Sequence, residues 1–293
     1  MKHRLLEVGA FPFPSPQGTQ ALVREQCEAL ADRGHEVHLL VYAHGDRRYR
    51  GPITVHRLPD WPRVRSLRSG PSLGKALLDA RLVVAVRRLE GEIRPELVHA
   101  HNYEALAACL AARPSAPIVY HAHTLFGREL PTFVSSPLAG EAARLVGGAA
   151  DRLLPSRATF TVTVSPRLAA ELEHLGHPPA RLRCVTPGIA LPRTSTPARE
   201  AARASLDLSE SEVLGYCGNL DGYQGIPDLL AATRRLAVEP PALRLLVVTA
   251  SDPAPLRAAA SRAGVAGRLR VIPHGQDFAE VLGHLSAADV CVV

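Results

Sequence analysis

The chain has 293 residues, 46% hydrophobic and 21% charged, with a formal net charge of +6. That length accommodates two ordinary domains, and the composition excludes a globally disordered chain. No apolar stretch approaches the ~20 residues that span a bilayer, and the run after Met1 is broken by Glu7, so neither a membrane helix nor a secretory leader is expected.

The five cysteines (Cys27, Cys109, Cys184, Cys217 and Cys291) are odd in number and form no Cys-x-x-Cys. They read as reduced, buried thiols in a cytosolic protein, without a disulfide or zinc framework. Lys2 and Lys75 are the only lysines, so arginine carries the positive charge. Between Arg47 and Arg88 basic residues far outnumber the acidic pair Asp60 and Asp79. Two readings of that stretch stand side by side: a surface for anionic lipid headgroups or an acidic acceptor, and a plain solvated loop and helix face. The first would place the protein peripherally at the inner face of a membrane. Nucleic acid is disfavoured, because few aromatic residues accompany the arginines to stack on bases.

Along the chain, strand and helix patterns alternate. Arg4 to Val8 is a strand, followed by a Pro-rich loop and a helix from about Gln20. Glu36 to Tyr42 follows Gly34, a residue suited to closing that helix. Ile53 to Leu58 precedes the Arg-rich segment and a long helix from Leu73 to Ile93. Leu97 to His101, a helix over Tyr103–Ala112, and the strand Pro117 to His121 come next. A helical region reaches Leu154, then a strand runs from Phe160 to Val164. The helix opening at Ser165-Pro166 has proline in its first turn, and Leu182 to Val185 closes the half. Proline and glycine crowd the segment from Thr186 to Pro197, which reads as a linker. Strands resume at Val213 to Cys217, Leu243 to Thr249, Leu269 to Ile272 and Val290 to Val293, with helices between. The expected architecture is α/β, with parallel sheets in two Rossmann-like domains, 1–187 and 208–293, joined by a linker over 188–207. The last strand pattern stops at Val293, so the second domain reads as incomplete.

Two strand-to-helix turns carry the chemistry. Phe11-Pro12-Phe13-Pro14-Ser15-Pro16-Gln17-Gly18-Thr19 follows the first strand, and Gly218-Asn219-Leu220-Asp221-Gly222-Tyr223-Gln224-Gly225 follows the strand ending at Cys217. Each presents backbone N–H groups at a helix N-terminus, where phosphate binds. His99-Ala100-His101 and His121-Ala122-His123 stand at strand ends, each pair on one face. They read as hydrogen-bonding groups and not as a metal site, since no carboxylate is placed to complete one; Glu104 and Glu129 are the nearest. Gly70-Pro71-Ser72-Leu73-Gly74 has the nucleophile-elbow spacing without the buried strand that motif requires. No P-loop, dinucleotide fingerprint, His-Glu-x-x-His or Asp-x-Asp occurs.

In this order and spacing the Gly18 loop, Ala31-Asp32-Arg33-Gly34-His35, Leu97-Val98-His99-Ala100-His101-Asn102 and Tyr120-His121-Ala122-His123-Thr124 resemble the GT-B glycosyltransferases of family 4. Val164-Ser165-Pro166, Val185-Thr186-Pro187-Gly188, Tyr216-Cys217-Gly218-Asn219 and Ala288-Asp289-Val290 extend the resemblance along nearly the whole chain. It implies a retaining transferase with two domains facing a cleft, taking a nucleotide-diphosphate sugar as substrate and no cofactor or metal, with a lipid-linked or polysaccharide acceptor. By the resemblance His123 is the catalytic position beside the transferring sugar. Gly18, Thr19, Gly218, Asn219, Gln224, Gly225, His274 and Gly275 would meet the donor, and His101, Asn102, Glu104 and Glu129 the acceptor. Where the family usually has basic residues gripping the diphosphate, this chain has Asn219 and Gln224. The family's Glu-x7-Glu donor segment would fall beyond Val293, so the alternative is a non-catalytic or degenerate sugar-nucleotide-binding protein. A metal hydrolase and a sugar-nucleotide isomerase of the same fold are further readings.

Overall fold

The computed structural model describes the chain except residues 16, 46–48, 61–72, 135, 189–198, 238–242, 274–277 and 293. The chain divides into two compact units, Met1–Ser15 with Thr19–Ile189, and chiefly Ala190–Val293.

The first unit is built on a seven-stranded sheet: β1 (Arg4–Gly9), β2 (Glu36–Val41), β3 (Thr54–Arg57), β4 (Leu97–His101), β5 (Ile118–Ala122), β6 (Phe160–Thr163) and β7 (Leu182–Cys184). The strand order is β3-β2-β1-β4-β5-β6-β7, every pair parallel. Side chains alternate across it with period two. Leu6 and Val8 join Leu82 and Val86 of helix α2 (Leu73–Ile93) and Leu106 of helix α3 (Tyr103–Ala112) in one core. Leu5 packs on the other side with Val23 and Cys27 of helix α1 (Gly18–Asp32). By the same alternation Glu7 sits on the α1 side, inside the protein and fully buried.

Local signals explain several ends. Asn102 caps α3, its side-chain oxygen accepting from Ala105 N at 3.2 Å. Ser165 caps α6 (Pro166–His174) in the same way through Leu168 N. Between β5 and β6 the chain makes α4 (Phe126–Glu129), a 3-10 turn, and α5 (Pro137–Leu153). Asp151, buried at the end of α5, accepts from the backbone N–H of Phe126 at 2.8 Å and Gly127 at 2.9 Å, and from the Tyr103 hydroxyl. One carboxylate thereby fastens α4 to α3 and α5. Gly147 makes the close approach possible: a Cβ there would meet Gly127 Cα at 2.5 Å.

The second unit has α7 (Arg199–Ser205), β8 (Val213–Cys217), α8 (Ile226–Leu236), β9 (Arg244–Thr249), α9 (Ala254–Arg262), β10 (Leu269–Pro273), α10 (Phe278–Leu285) and β11 (Val290–Val292). Its parallel sheet has the order β10-β9-β8-β11. Leu245 and Val247 face α8 and α9, while Leu246 and Val248 face Ala202, Leu206 and Val281. Asp289 accepts from Val213 N at 2.7 Å and pairs with Arg199 and Arg203.

Here the sequence expectation needs adjustment. The 188–207 segment expected as linker contains α7, which lies against the second sheet through Ala202 and the arginine pairs on Asp289. The cysteines also divide: Cys27 and Cys109 are buried, whereas Cys184, Cys217 and Cys291 are exposed at strand ends or on the edge strand. Among the described residues no helix is long and apolar enough to cross a membrane. The Gly70–Gly74 string lies mostly outside the described residues, as do Arg47, Arg48, Arg63, Arg65 and Arg68 of the basic stretch. Arg57 and Arg87 of that stretch are engaged by backbone carbonyls of the first unit. Arg57 donates to the carbonyl of Phe13, and Arg87 to those of Ala111 (2.9 Å) and Ala112 (3.2 Å) at the end of α3.

Candidate functional site

The carboxyl ends of β1, β4 and β5 bring the two His-x-His strings side by side. Glu7 is the register partner of His99, and His101 that of His121. The His99 and His121 rings stack at 5.3 Å and 4°, and those of His121 and His123 at 4.7 Å and 17°. Glu7 Oε2 lies 2.7 Å from His101 Nε2 and 3.1 Å from His99 Nδ1. Gln26 of α1 reaches the same His99 nitrogen at 3.1 Å. An ionised carboxylate only accepts, while a Gln amide can present either end. His101 therefore carries its proton on Nε2 and donates to Glu7, while His99 Nδ1 lies between Glu7 Oε2 and the Gln26 amide nitrogen.

Burial works to raise the Glu7 carboxyl, but the His99 charge and the hydrogen bonds from His101 and His99 outweigh it, holding the group well below the usual carboxylate range. Burial, then the neighbouring histidines, pushes His121 down to about 2 and His123 down to about 3. His101 is lowered too, by burial and by His99. At neutral pH His123 is thus an uncharged imidazole, able to donate or accept a hydrogen bond but not to act as a standing cation.

Among the described residues, Glu7 Oε1, His99 Nε2, His101 Nδ1, both His121 ring nitrogens and His123 Nε2 are buried with no hydrogen-bond partner. Each such group costs about 1–3 kcal/mol if it stays unpaired.

Beside it lies an acidic group. Glu104 in the first turn of α3 and Glu129 at the end of α4 interact, and burial followed by the Glu104 charge raises the Glu129 carboxyl. Asp79 of α2 accepts from the Tyr42 hydroxyl, and burial above all pushes it up to about 6. Of the expected acceptor residues, Glu104 and Glu129 are thus brought together. Asn102 uses its amide oxygen for the cap, at a φ of 72° that asparagine tolerates better than most residues. His101 differs from expectation: with zero exposure and Nε2 engaged by Glu7, it orients its neighbours from within. Asp79 and Glu7 are additions that the sequence reading missed. The ground for excluding a metal is also corrected, because Glu7 supplies the carboxylate that appeared to be lacking. One ring nitrogen each from His99, His101 and His121 lie within 4.8 Å of one another.

Gly18 and Thr19 open α1, and a Cβ on Gly18 would meet nothing within 4 Å. In the second unit, β8 ends at Cys217 and the following loop is internally braced. The Tyr216 hydroxyl donates to the Asn219 carbonyl at 2.8 Å, and Asn219 Oδ1 accepts from Asp221 N at 3.2 Å. Ser251 Oγ receives Leu220 N at 3.1 Å. Gly225, at φ 66°, precedes α8 in the left-handed conformation glycine permits. Gly218, Asn219, Gln224 and Gly225 therefore share one ordered strand-to-helix turn, while His274 and Gly275 lie outside the described residues.

The family model described as Glycosyltransferase Family 4 matches residues 16–193, more than half of the sequence. The chain belongs to glycosyltransferase family 4. Among curated proteins it is 31% identical to the D-inositol 3-phosphate glycosyltransferase of Geodermatophilus obscurus, over 94% of this chain and 64% of that protein. The protein of the same name from Rhodococcus opacus is 29% identical over 92% and 64%. The family 4 chain thus spans less than two thirds of the length of these relatives. Among solved structures, sucrose-phosphate synthase from Thermosynechococcus elongatus superposes with a TM-score of 0.80 at 19% identity, covering 99% of this chain and 75% of that one. WaaG, a glycosyltransferase involved in lipopolysaccharide biosynthesis, gives 0.68 at 18% identity, covering 98% and 74%. The fold is GT-B.

Proposed function

We propose that this family 4 protein transfers a sugar from a nucleotide-diphosphate donor to a hydroxyl acceptor with retention of anomeric configuration. The observation that carries the reading is His123: a neutral imidazole at the sheet's carboxyl end, its Nε2 buried and without a hydrogen-bond partner among the described residues. Such a group is suited to hold a hydroxyl of the donor sugar. Gly18 and Thr19 would receive donor phosphate at the N-terminus of α1, and the Gly218–Gly225 turn would do so at that of α8. A helix N-terminus carries roughly half a positive charge, which offsets part of what the neutral Asn219 and Gln224 do not supply. Glu104 and Glu129 would face the acceptor. No protein nucleophile is needed, since the leaving diphosphate can take the acceptor's proton while the protein positions both substrates.

For the acceptor, a lipid-linked or polysaccharide hydroxyl is the leading class. Membrane proximity is supported by α5, which exposes Leu138 at 85%, Leu145 at 68%, Val146 at 62% and Leu153 at 54%. A small polyol phosphate is a second class, supported by the name the curated relatives share. A degenerate binding protein is the alternative that Asn219 and Gln224 favour. The deciding experiment incubates the chain with labelled nucleotide sugars and each acceptor class, and determines the anomer of any product. A retained glycoside supports the reading, and an inverted one refutes it. Donor binding with neither transfer nor hydrolysis leaves the degenerate protein.

A further inference from the structure

We infer that the space enclosed by the ends of β1, β4 and β5 is a binding site for one divalent transition-metal ion, with His99, His101 and His121 as ligands and Glu7 as the residue that orients two of them.

Geometry is the first support. Register places Glu7 beside His99 and His101 beside His121 on three adjacent strands. Side chains two apart on a strand share a face, so both strings project the same way. One nitrogen from each of the three rings already lies within 4.8 Å of the others. A zinc ion with nitrogen ligands at about 2.1 Å needs those atoms roughly 3.4 Å apart, against the 4.8 Å within which they lie.

The second support is electronic. Glu7 takes the Nε2 proton of His101, and its Oε2 lies 3.1 Å from His99 Nδ1. That leaves His101 Nδ1 as a bare lone pair, and neither it nor His99 Nε2 has a hydrogen-bond partner among the described residues. His121 adds another lone pair, since neither of its nitrogens has a hydrogen-bond partner among the described residues. The carboxylate–histidine–metal arrangement is a common way to fix the tautomer and orientation of a ligating ring. Three imidazoles select zinc, cobalt, nickel or copper over magnesium or calcium, which prefer oxygen. The Glu7 charge offsets one of the ion's two, buried where an unpaired charge would be costly.

The site borders His123, whose ring stacks on that of His121, but the inference does not depend on sugar transfer and is tested without it. Chelator-treated, refolding-checked protein is titrated with cobalt(II) while visible absorption is recorded. The expected result is saturation at one equivalent with the strong bands of tetrahedral cobalt, bleached by one equivalent of zinc. His121→Asn abolishes those bands, and His174→Asn, an exposed histidine on α6, leaves them unchanged. Glu7→Gln keeps the stoichiometry and weakens binding about 10–100-fold. Should His121→Asn fail to fold, X-ray absorption of the zinc-loaded native chain gives the answer, with three imidazole scatterers expected. No saturable tetrahedral signal from the folded chain, an unchanged signal in folded His121→Asn, or fewer than three imidazoles would overturn the assignment.

Discussion

Acidification from pH 7.5 to 5.0 should loosen the first unit measurably, and the histidine cluster sets the size of the effect. His121 and His123 have folded-state values depressed to about 2 and about 3, against about 6.5 for a histidine in the unfolded chain. Over this range the folded protein leaves both neutral, while the unfolded chain takes up a proton on each. Stability therefore falls as pH drops through 6.5, by about 1.4 kcal/mol per pH unit per histidine once well below that value. Between pH 7.5 and 5.0 each contributes a loss of about 2 kcal/mol, so the pair contributes about 4. His101 shifts in the same direction and adds to the loss. Glu7 works at lower pH: its folded value is depressed, so its contribution is present above about 4.5 and disappears only below it. The assay is hydrogen exchange of the Ile118–Ala122 amides across a urea series with chelator present, corrected for the intrinsic pH dependence of exchange. It reports the first unit alone, which matters in a chain of two units. The double variant His121→Gln, His123→Gln should flatten the pH slope by about two protons. Opening free energies that stay constant or rise on acidification would show that these rings are not held neutral by burial.

Further outcomes follow from individual contacts. Asp151→Ala removes the acceptor of the Phe126 and Gly127 N–H groups and of the Tyr103 hydroxyl, and should destabilise the first unit by about 2–4 kcal/mol in chemical denaturation. Gly45→Ala forces a Cβ to within 2.1 Å of the Phe13 carbonyl oxygen at a φ of 118°, and should cost at least about 2 kcal/mol by the same measurement. Gln224→Lys should tighten nucleoside diphosphate binding by roughly tenfold in calorimetry, through a charge-assisted hydrogen bond the native amide lacks. Leu138→Glu with Leu145→Glu should reduce sedimentation with phosphatidylglycerol vesicles by at least about tenfold, because two exposed leucines no longer enter the interface.

The parts of the fold that were legible in the sequence are those with strong local signals. Strand β4 and helix α3 have the expected bounds, since Asn102 ends one and caps the other while an Ala-rich run follows. Ser165-Pro166 marks the start of α6 for the same local reason. Helix α7 was hidden because its short sequence follows a Pro-rich stretch and buries little beyond Ala202. Within the site, the histidines were visible as strings but their partner was not. Glu7 and His101 stand 94 residues apart and meet only through the pairing of β1 with β4. A carboxylate inside an apolar strand was read as an interruption, when it signalled a buried partner. Asp79 shows the same limit, since its neighbours Tyr42 and Glu104 come from separate elements.

The claim that this chain moves sugars through His123 is tested most directly by nucleotide release and labelled product formation in the native protein and a folded His123→Ala variant. The account predicts coupled release and transfer in the native chain, with kcat reduced about 100-fold or more in the variant. Equal rates in the two proteins, or a native chain that binds the donor indefinitely without cleaving it, would contradict it.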